Sequence, residues 1–138
     1  MSTERERSFG GVVVRGDEVL VITPAGRPQV ATLPKGGPQP GERPEATAAR
    51  EVREETGVEA RIVGRLGEVR YRYRRDGLRV FKTVGFYLCD YVSGDTADHD
   101  HEVDEARWMP LERARTELTY PGEREMIERA LSKVTGSM

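Results

Sequence analysis

The strongest limit on the fold comes from eight consecutive residues, Pro34-Lys35-Gly36-Gly37-Pro38-Gln39-Pro40-Gly41. Proline lacks a backbone donor and holds φ near about −65°, and glycine has no Cβ to bias its conformation. Three of each in eight residues exclude a regular helix and a central strand, so the segment is a shaped loop. The neighbouring segment has the opposite character. Pro44 stands where a helix start tolerates proline, Glu45–Thr56 is helical in composition, and Gly57 stands where a helix end favours glycine.

The remaining pattern supplies partners for that helix. Ser8–Val14 and Glu18–Thr23 read as strands joined by a turn at Gly16-Asp17, and Pro24–Pro28 reads as a turn before a short strand at Gln29–Leu33. Val58–Val63 and Glu68–Arg74 read as two further strands. Asp76-Gly77 is a hairpin turn, and Val80–Tyr91 is the long strand after it. Glu105–Met109 is extended. Pro110–Glu117 and Pro121–Val134 are helical, the second with Met126, Ile127, Ala130, Leu131 and Val134 on one face. Strands, a loop, a helix, more strands and two helices imply an α+β sandwich with a mixed sheet. A length of 138 residues allows one domain, expected over 8–135, with a flexible 1–7 and a frayed Gly136-Ser137-Met138.

Net charge is −2, too balanced for a global field that would draw nucleic acid, so no stable nucleic-acid partner is expected. The local distribution is uneven. Arg61–Lys82 holds eight basic residues against Glu68 and Asp76, whereas Asp98–Glu105 holds five acids and no lysine or arginine. An anionic ligand that brings its own cations suits such a division. The single cysteine, Cys89, lies in an apolar run and reads as a core thiol. The charged Met1–Arg7 is not a signal peptide and no stretch is apolar enough to span a membrane, so a cytoplasmic location without membrane association is expected.

Chemistry concentrates on the helix. Glu51, Glu54 and Glu55 stand at i, i+3 and i+4 and share one face, with Arg50 and Arg53 beside them. A like-charge pair at i,i+4 costs a few tenths of a kcal/mol on a bare helix, a cost that a bound Mg²⁺ would reverse through carboxylate coordination. Gly36, Gly37 and Gly41 let backbone approach a metal or phosphate, and Lys35 would place a point charge on a phosphate oxygen.

From Gly36 the spacing is Gly, five residues, Glu42, seven residues, then Arg50-Glu51-Val52-Arg53-Glu54-Glu55-Thr56-Gly57-Val58. This resembles the Nudix box, G-x5-E-x7-R-E-U-x-E-E-x-G-U with U aliphatic, at all nine defined positions over 23 residues. The resemblance implies an α/β/α sandwich with a mixed β-sheet between helices, and hydrolysis of a nucleoside diphosphate linked to another moiety. It implies Glu51, Glu54 and Glu55 as ligands of Mg²⁺, with Mn²⁺ as the alternative ion, and a backbone carbonyl at Lys35 or Gly36 completing the set. Arg50 would orient a catalytic glutamate, and Glu42 would be mainly structural. Glu102, six residues before Trp108, resembles a further acid of the MutT-like and diadenosine-polyphosphate-cleaving members, as ligand or base. The base is Glu55, Glu51 or Glu102.

Leu33-Pro34-Lys35-Gly36 and Leu118-Thr119-Tyr120-Pro121 resemble segments of diadenosine tetraphosphate hydrolases and of enzymes acting on oxidised guanine nucleotides. Tyr120 would stack on a base. In the strand Arg70-Tyr71-Arg72-Tyr73-Arg74, one face carries arginines and the other tyrosines. Arg72, Tyr73 and Lys82, with Lys35, Gly36 and Gly37, are the expected substrate contacts. The expected substrate is a dinucleoside polyphosphate, with (d)NTPs such as 8-oxo-dGTP as the alternative and a non-catalytic nucleotide-sensing domain as the contrasting class. The expected assembly is a monomer or a homodimer.

Overall fold

A computed structural model describes residues 2–136, apart from the side chains of Thr135 and Gly136. The elements are β1 (Thr3–Arg15), β2 (Glu18–Pro24), β3 (Lys35–Gly36), α1 (Pro44–Thr56), β4 (Val58–Arg75), β5 (Leu78–Gly94), β6 (Val103–Pro110), α2 (Leu111–Glu117) and α3 (Pro121–Gly136). The sheet runs β4-β5-β1-β2-β6, with β3 added against β1. β1 and β5 are parallel and the other pairs antiparallel, so the sheet is mixed.

Alternation along the strands makes two apolar faces. Phe9, Val13, Leu20, Tyr87 and Cys89 point one way and bury Ala48 and Val52 of α1. Val12, Val21, Val69, Val84 and Phe86 point the other way and bury Leu111 and Ala114 of α2 and Met126, Ile127 and Ala130 of α3. Each fully buried valine or leucine contributes roughly 1.5–3 kcal/mol, and the helices sit where those residues cluster. The result is the expected α/β/α sandwich. Cys89 is buried in the α1 layer, and burial pushes its thiol up to about 12, so it stays protonated.

Several local expectations are corrected. Residues 1–7 are not frayed over their described part, because Thr3–Arg7 pair with Arg79–Thr83. Glu4 and Glu6 there bind Arg75, and Tyr73 donates to Glu6, so the extension is held by charge as well as by backbone. Val58–Val63 and Glu68–Arg74 are one strand, β4, because irregularities at 59/60, 62/64 and 65/67 absorb the glycines without ending the pairing. Gln29–Leu33 contributes only the bridge from Thr32 to Ile22. The loop 34–41 contains the two-residue β3, Lys35 and Gly36, which pair with Gly10 and Phe9 of β1. Gly136 belongs to α3 rather than to a frayed end; Ser137 and Met138 lie outside the described residues.

Gly57 ends α1 in the left-handed region, φ 76°, with its N–H donating to the Arg53 carbonyl. A Cβ there would strike the Asp95 carbonyl and the Asp98 side chain. The acidic segment 95–102 is therefore packed on the end of α1, and the Asp100 N–H donates to the Glu54 carbonyl at 3.0 Å. Gly57→Ala is expected to lower unfolding free energy by at least about 1–2 kcal/mol from backbone strain. Gly57→Asn tolerates that φ but not the contact, so it should lose stability too. Urea denaturation of both variants checks this, and a neutral Gly57→Asn would show that the packing is unimportant.

Candidate active site

The loop and α1 are joined by one arginine. Arg50 donates through Nε and Nη2 to Glu42, through Nη1 to Glu54 at 2.9 Å and Glu51 at 3.3 Å, and through Nη2 to the Gly37 carbonyl at 2.9 Å. Glu42 also accepts from the Gln39 N–H and the Thr47 hydroxyl. Arg50, with these two donors, holds the Glu42 carboxyl down at about 2, and the same pairing raises the Arg50 guanidinium. Glu42 is thus the brace of the loop, and Arg50 reaches both Glu51 and Glu54.

Glu55 turns inward and accepts the Lys35 N–H at 2.8 Å. Glu51 lies against Gly36, where any Cβ would collide with its carboxylate. Only glycine lets the loop come this close to the helix. Burial raises the Glu51 carboxyl, partly offset by Arg50, with Glu54 and Glu102 adding to the rise. Burial pushes Glu55 further, up to about 8, against the Lys35 N–H and charge; Glu51 and Asp100 push in the same direction. Glu102 is exposed on the acidic loop, within electrostatic reach of Glu51.

Among the described residues, no three acids or histidines already form a closed metal cage. Glu54 is engaged by Arg50 rather than facing Glu55. The donor set nevertheless fits a hard divalent cation. It offers carboxylate oxygens from Glu51 and Glu55, the Gly36 backbone brought close by its missing side chain, and two acids whose ionised forms lack sufficient positive charge nearby.

Beside the acids lies a cavity of about 710 Å³, lined among others by Arg27, Lys35, Tyr71, Tyr73, Lys82 and Tyr120. Lys35 spans both regions, its backbone on Glu55 and its side chain in the cavity wall. Its ammonium donates to the Thr32 hydroxyl, the Leu33 carbonyl and Glu123, so it is held in place rather than free to follow a phosphate. Burial lowers the Lys82 ammonium, which lies within reach of Lys35, Glu55 and Glu51. Tyr120 meets Tyr71 edge to face at 5.3 Å and lines the cavity, where a base would have to lie for the expected stacking. Tyr73 lines the cavity while donating to Glu6. Arg72 reaches the rim, but its guanidinium lies over Phe81 on the opposite sheet face. Gly37 is exposed and offers only its carbonyl to Arg50.

Sequence reasoning missed Glu123. Its fully buried carboxylate accepts from Thr32, the Leu33 N–H, Lys35 and the Tyr71 hydroxyl. Its neighbourhood raises the Tyr71 phenol well above the usual range, after burial itself. An acid in the first turn of a helix reads as a dipole partner, and nothing local marks it as buried. Arg27, which meets the Tyr120 hydroxyl at 3.4 Å, was also invisible in a turn.

The NUDIX domain family matches residues 4–130. A protein of Mycobacterium tuberculosis named as mutator protein MutT4 is 38% identical over 137 residues, covering 93% of this chain and 55% of its own length. An 8-oxo-(d)GTP phosphatase of Mycolicibacterium smegmatis is 35% identical over 102 residues, 74% of this chain and 30% of its own. The chain thus spans about half or less of these relatives. Among solved structures, a C. elegans Ap4A hydrolase binary complex superposes with a TM-score of 0.76 at 24% identity, covering 95% of this chain and 98% of that one. That likeness concerns the fold.

Raised acids make a stability prediction. Below about pH 4.5 Glu55 is protonated whether folded or not; between there and about 8 only the unfolded chain ionises, so the folded state loses stability as pH rises. With chelator present, Glu55→Gln should therefore raise Tm, by about 5 °C at pH 8.5 and little at pH 4.5. Calorimetry at the two pH values decides it, and an equal shift at both would refute the assignment.

Proposed function

The chain belongs to the Nudix family, and from that premise we propose that it is a divalent-cation-dependent pyrophosphohydrolase cleaving a phosphoanhydride bond in a nucleoside diphosphate derivative. The observation that carries the reading is the pair Glu51 and Glu55, largely withdrawn from solvent, raised and closed over by the Gly36 backbone, beside a cavity walled by tyrosines and cations. A sensing domain would not need two acids kept at this electrostatic cost.

Glu51, Glu55 and Glu102 would hold Mg²⁺ or Mn²⁺ with the Lys35–Gly36 backbone, and Glu54 stays with Arg50 or joins them. The cation supplies charge neutralisation at the phosphates and lowers the pKa of water. The chain's residues do the rest. Tyr71, Tyr73 and Tyr120 offer faces and edges to a base. Lys82 and Arg27 meet the phosphates, and Lys35, anchored by Glu123, keeps a positive charge between base and acids. Glu55 takes the proton from a water whose oxygen forms the new bond to phosphorus. The bridging P–O bond breaks and the second phosphate leaves with that electron pair. Our assignment of Glu55 as base rests on its inward position, fixed by the Lys35 N–H between the loop and the cavity; Glu51 and Glu102 are the competing candidates.

A cavity of about 710 Å³ with an aromatic wall is of a size and character for one purine nucleotide, which moves our preference from the dinucleoside polyphosphate expected from the sequence to a nucleoside triphosphate, including oxidised forms such as 8-oxo-dGTP. The named activity of the smegmatis relative points the same way. A dinucleoside polyphosphate is the second reading, favoured by Arg70 and Arg72 at the rim, where further phosphates would lie.

Phosphate release with Mg²⁺ should fall about 10²–10⁴-fold in kcat for Glu55→Gln. Retention within about twofold would end the catalytic assignment. Specificity constants for dGTP, 8-oxo-dGTP, diadenosine tetraphosphate and ADP-ribose, with products separated by ion exchange, test the substrate; a higher value for diadenosine tetraphosphate than for both triphosphates would reverse our order.

A further inference from the structure

The β4–β5 hairpin has a second face, turned away from the tyrosine-walled cavity. Strand register lays its residues in rows across β1, β5 and β4. One row is Thr3, Arg79 and Arg74; the next is Arg5, Phe81 and Arg72; the third is Arg7, Thr83 and Arg70. All six arginines are exposed. Neighbouring strands lie about 4.8 Å apart and successive rows about 6.6 Å apart, so the backbone positions that carry the arginines repeat at those steps. The Arg5 and Arg72 guanidiniums lie over the Phe81 ring, each 5.5 Å from its centre. A second cavity of about 320 Å³ opens here, lined by Arg5, Arg70, Arg72, Phe81 and Thr83 among others. The next row is Phe9, Gly85 and Glu68. Its only carboxylate, Glu68, is taken by Arg7 and Arg65. α1 packs beyond this row, on Val13, Tyr87 and Cys89, and leaves the arginine rows uncovered.

We infer that this face is a binding site for a single-stranded polynucleotide, separate from the hydrolytic cavity. A sheet face that combines rows of cations with a central aromatic meets two needs of such a ligand. The arginines take successive phosphates, at a spacing near one nucleotide step of an extended strand. An unstacked base stacks on the guanidinium planes that Phe81 supports, or takes the place of one of them on the ring. A rigid duplex would present phosphates but no free base to Phe81. The overall charge of −2 conceals this surface, because Glu4, Glu6, Tyr73 and Arg75 alternate onto the other face. β4 lies at the edge of the sheet, and Arg70 and Arg72 border both cavities, so a strand held here passes beside the entrance to the first. The proposal does not depend on the hydrolase reading, since binding is measured without turnover.

The test is fluorescence anisotropy of labelled 12-nucleotide uridine RNA and thymidine DNA with the full chain carrying Glu55→Gln, from 50 to 300 mM salt. Saturable binding is expected, with log K falling against log salt by about 0.7 for each phosphate engaged. Arg5→Glu with Arg79→Glu should weaken it at least about tenfold and flatten the slope. Phe81→Leu should weaken it about fivefold or more with the slope unchanged. Excess dGTP should not displace the oligonucleotide, and the arginine pair variant without Glu55→Gln should keep kcat/KM for the small substrate within about twofold. Should the glutamate pair unfold by circular dichroism, Arg5→Gln with Arg79→Gln replaces it. The RNA and DNA arms name the preferred strand. The inference is overturned by absence of saturable binding, by unchanged affinity in the arginine variant or in Phe81→Leu, by displacement with dGTP, by equal binding of a 12-base-pair duplex, or by binding confined to phosphatidylserine vesicles.

Discussion

A loop of prolines and glycines has few side chains with which to hold its own shape, so its conformation must be imposed from outside. Arg50 imposes it. One guanidinium binds Glu42 after the loop, the Gly37 carbonyl within it, and Glu54 and Glu51 on the helix. The planar fork of arginine can serve several acceptors at once; the point charge of lysine at the same place could not. With the loop pinned, the Lys35 N–H reaches Glu55 and the Gly36 backbone reaches Glu51.

That arrangement has an electrostatic consequence. Arg50 is shared among Glu42, Glu54 and Glu51, so it offsets only part of the burial cost at Glu51, while Glu55 has the Lys35 N–H and the charges of Lys35 and Lys82 but no paired cation. Both acids are then short of positive charge in a partly dry setting. A structural ion-pair network would have been built the other way, with each buried acid matched to its own base. Glu123 shows that contrast within the same molecule: more deeply buried still, it is fully satisfied by Thr32, Leu33, Lys35 and Tyr71 and works as an anchor.

Alternation in one hairpin divides two kinds of surface. Tyr71, Tyr73 and Lys82 turn toward α3 and the larger cavity, while Arg70, Arg72 and Phe81 turn the other way and join Arg5 and Arg7 from β1. The same five-residue run therefore contributes tyrosines to the cavity on one side and arginines to the sheet face on the other. The paired N-terminal extension completes both surfaces, because its glutamates go with the tyrosines and its arginines with the arginines.

Much of this was legible in the residues. The order of elements, the capped helix and the spacing of Gly36, Glu42, Arg50, Glu51, Glu54, Glu55 and Gly57 depend on local rules of backbone geometry and helical periodicity, which act over a few positions. So does the arginine–tyrosine alternation of β4. What the sequence could not decide was which face meets what. Strand register between Thr3–Val14 and Arg79–Asp90, which adds Arg5 and Arg7 to the arginine rows of the β4–β5 hairpin, joins segments more than seventy residues apart. The burial of Glu123 and the capture of the Lys35 ammonium likewise need α3 folded against the loop. Packing and desolvation are properties of the assembled core, and no local pattern encodes them.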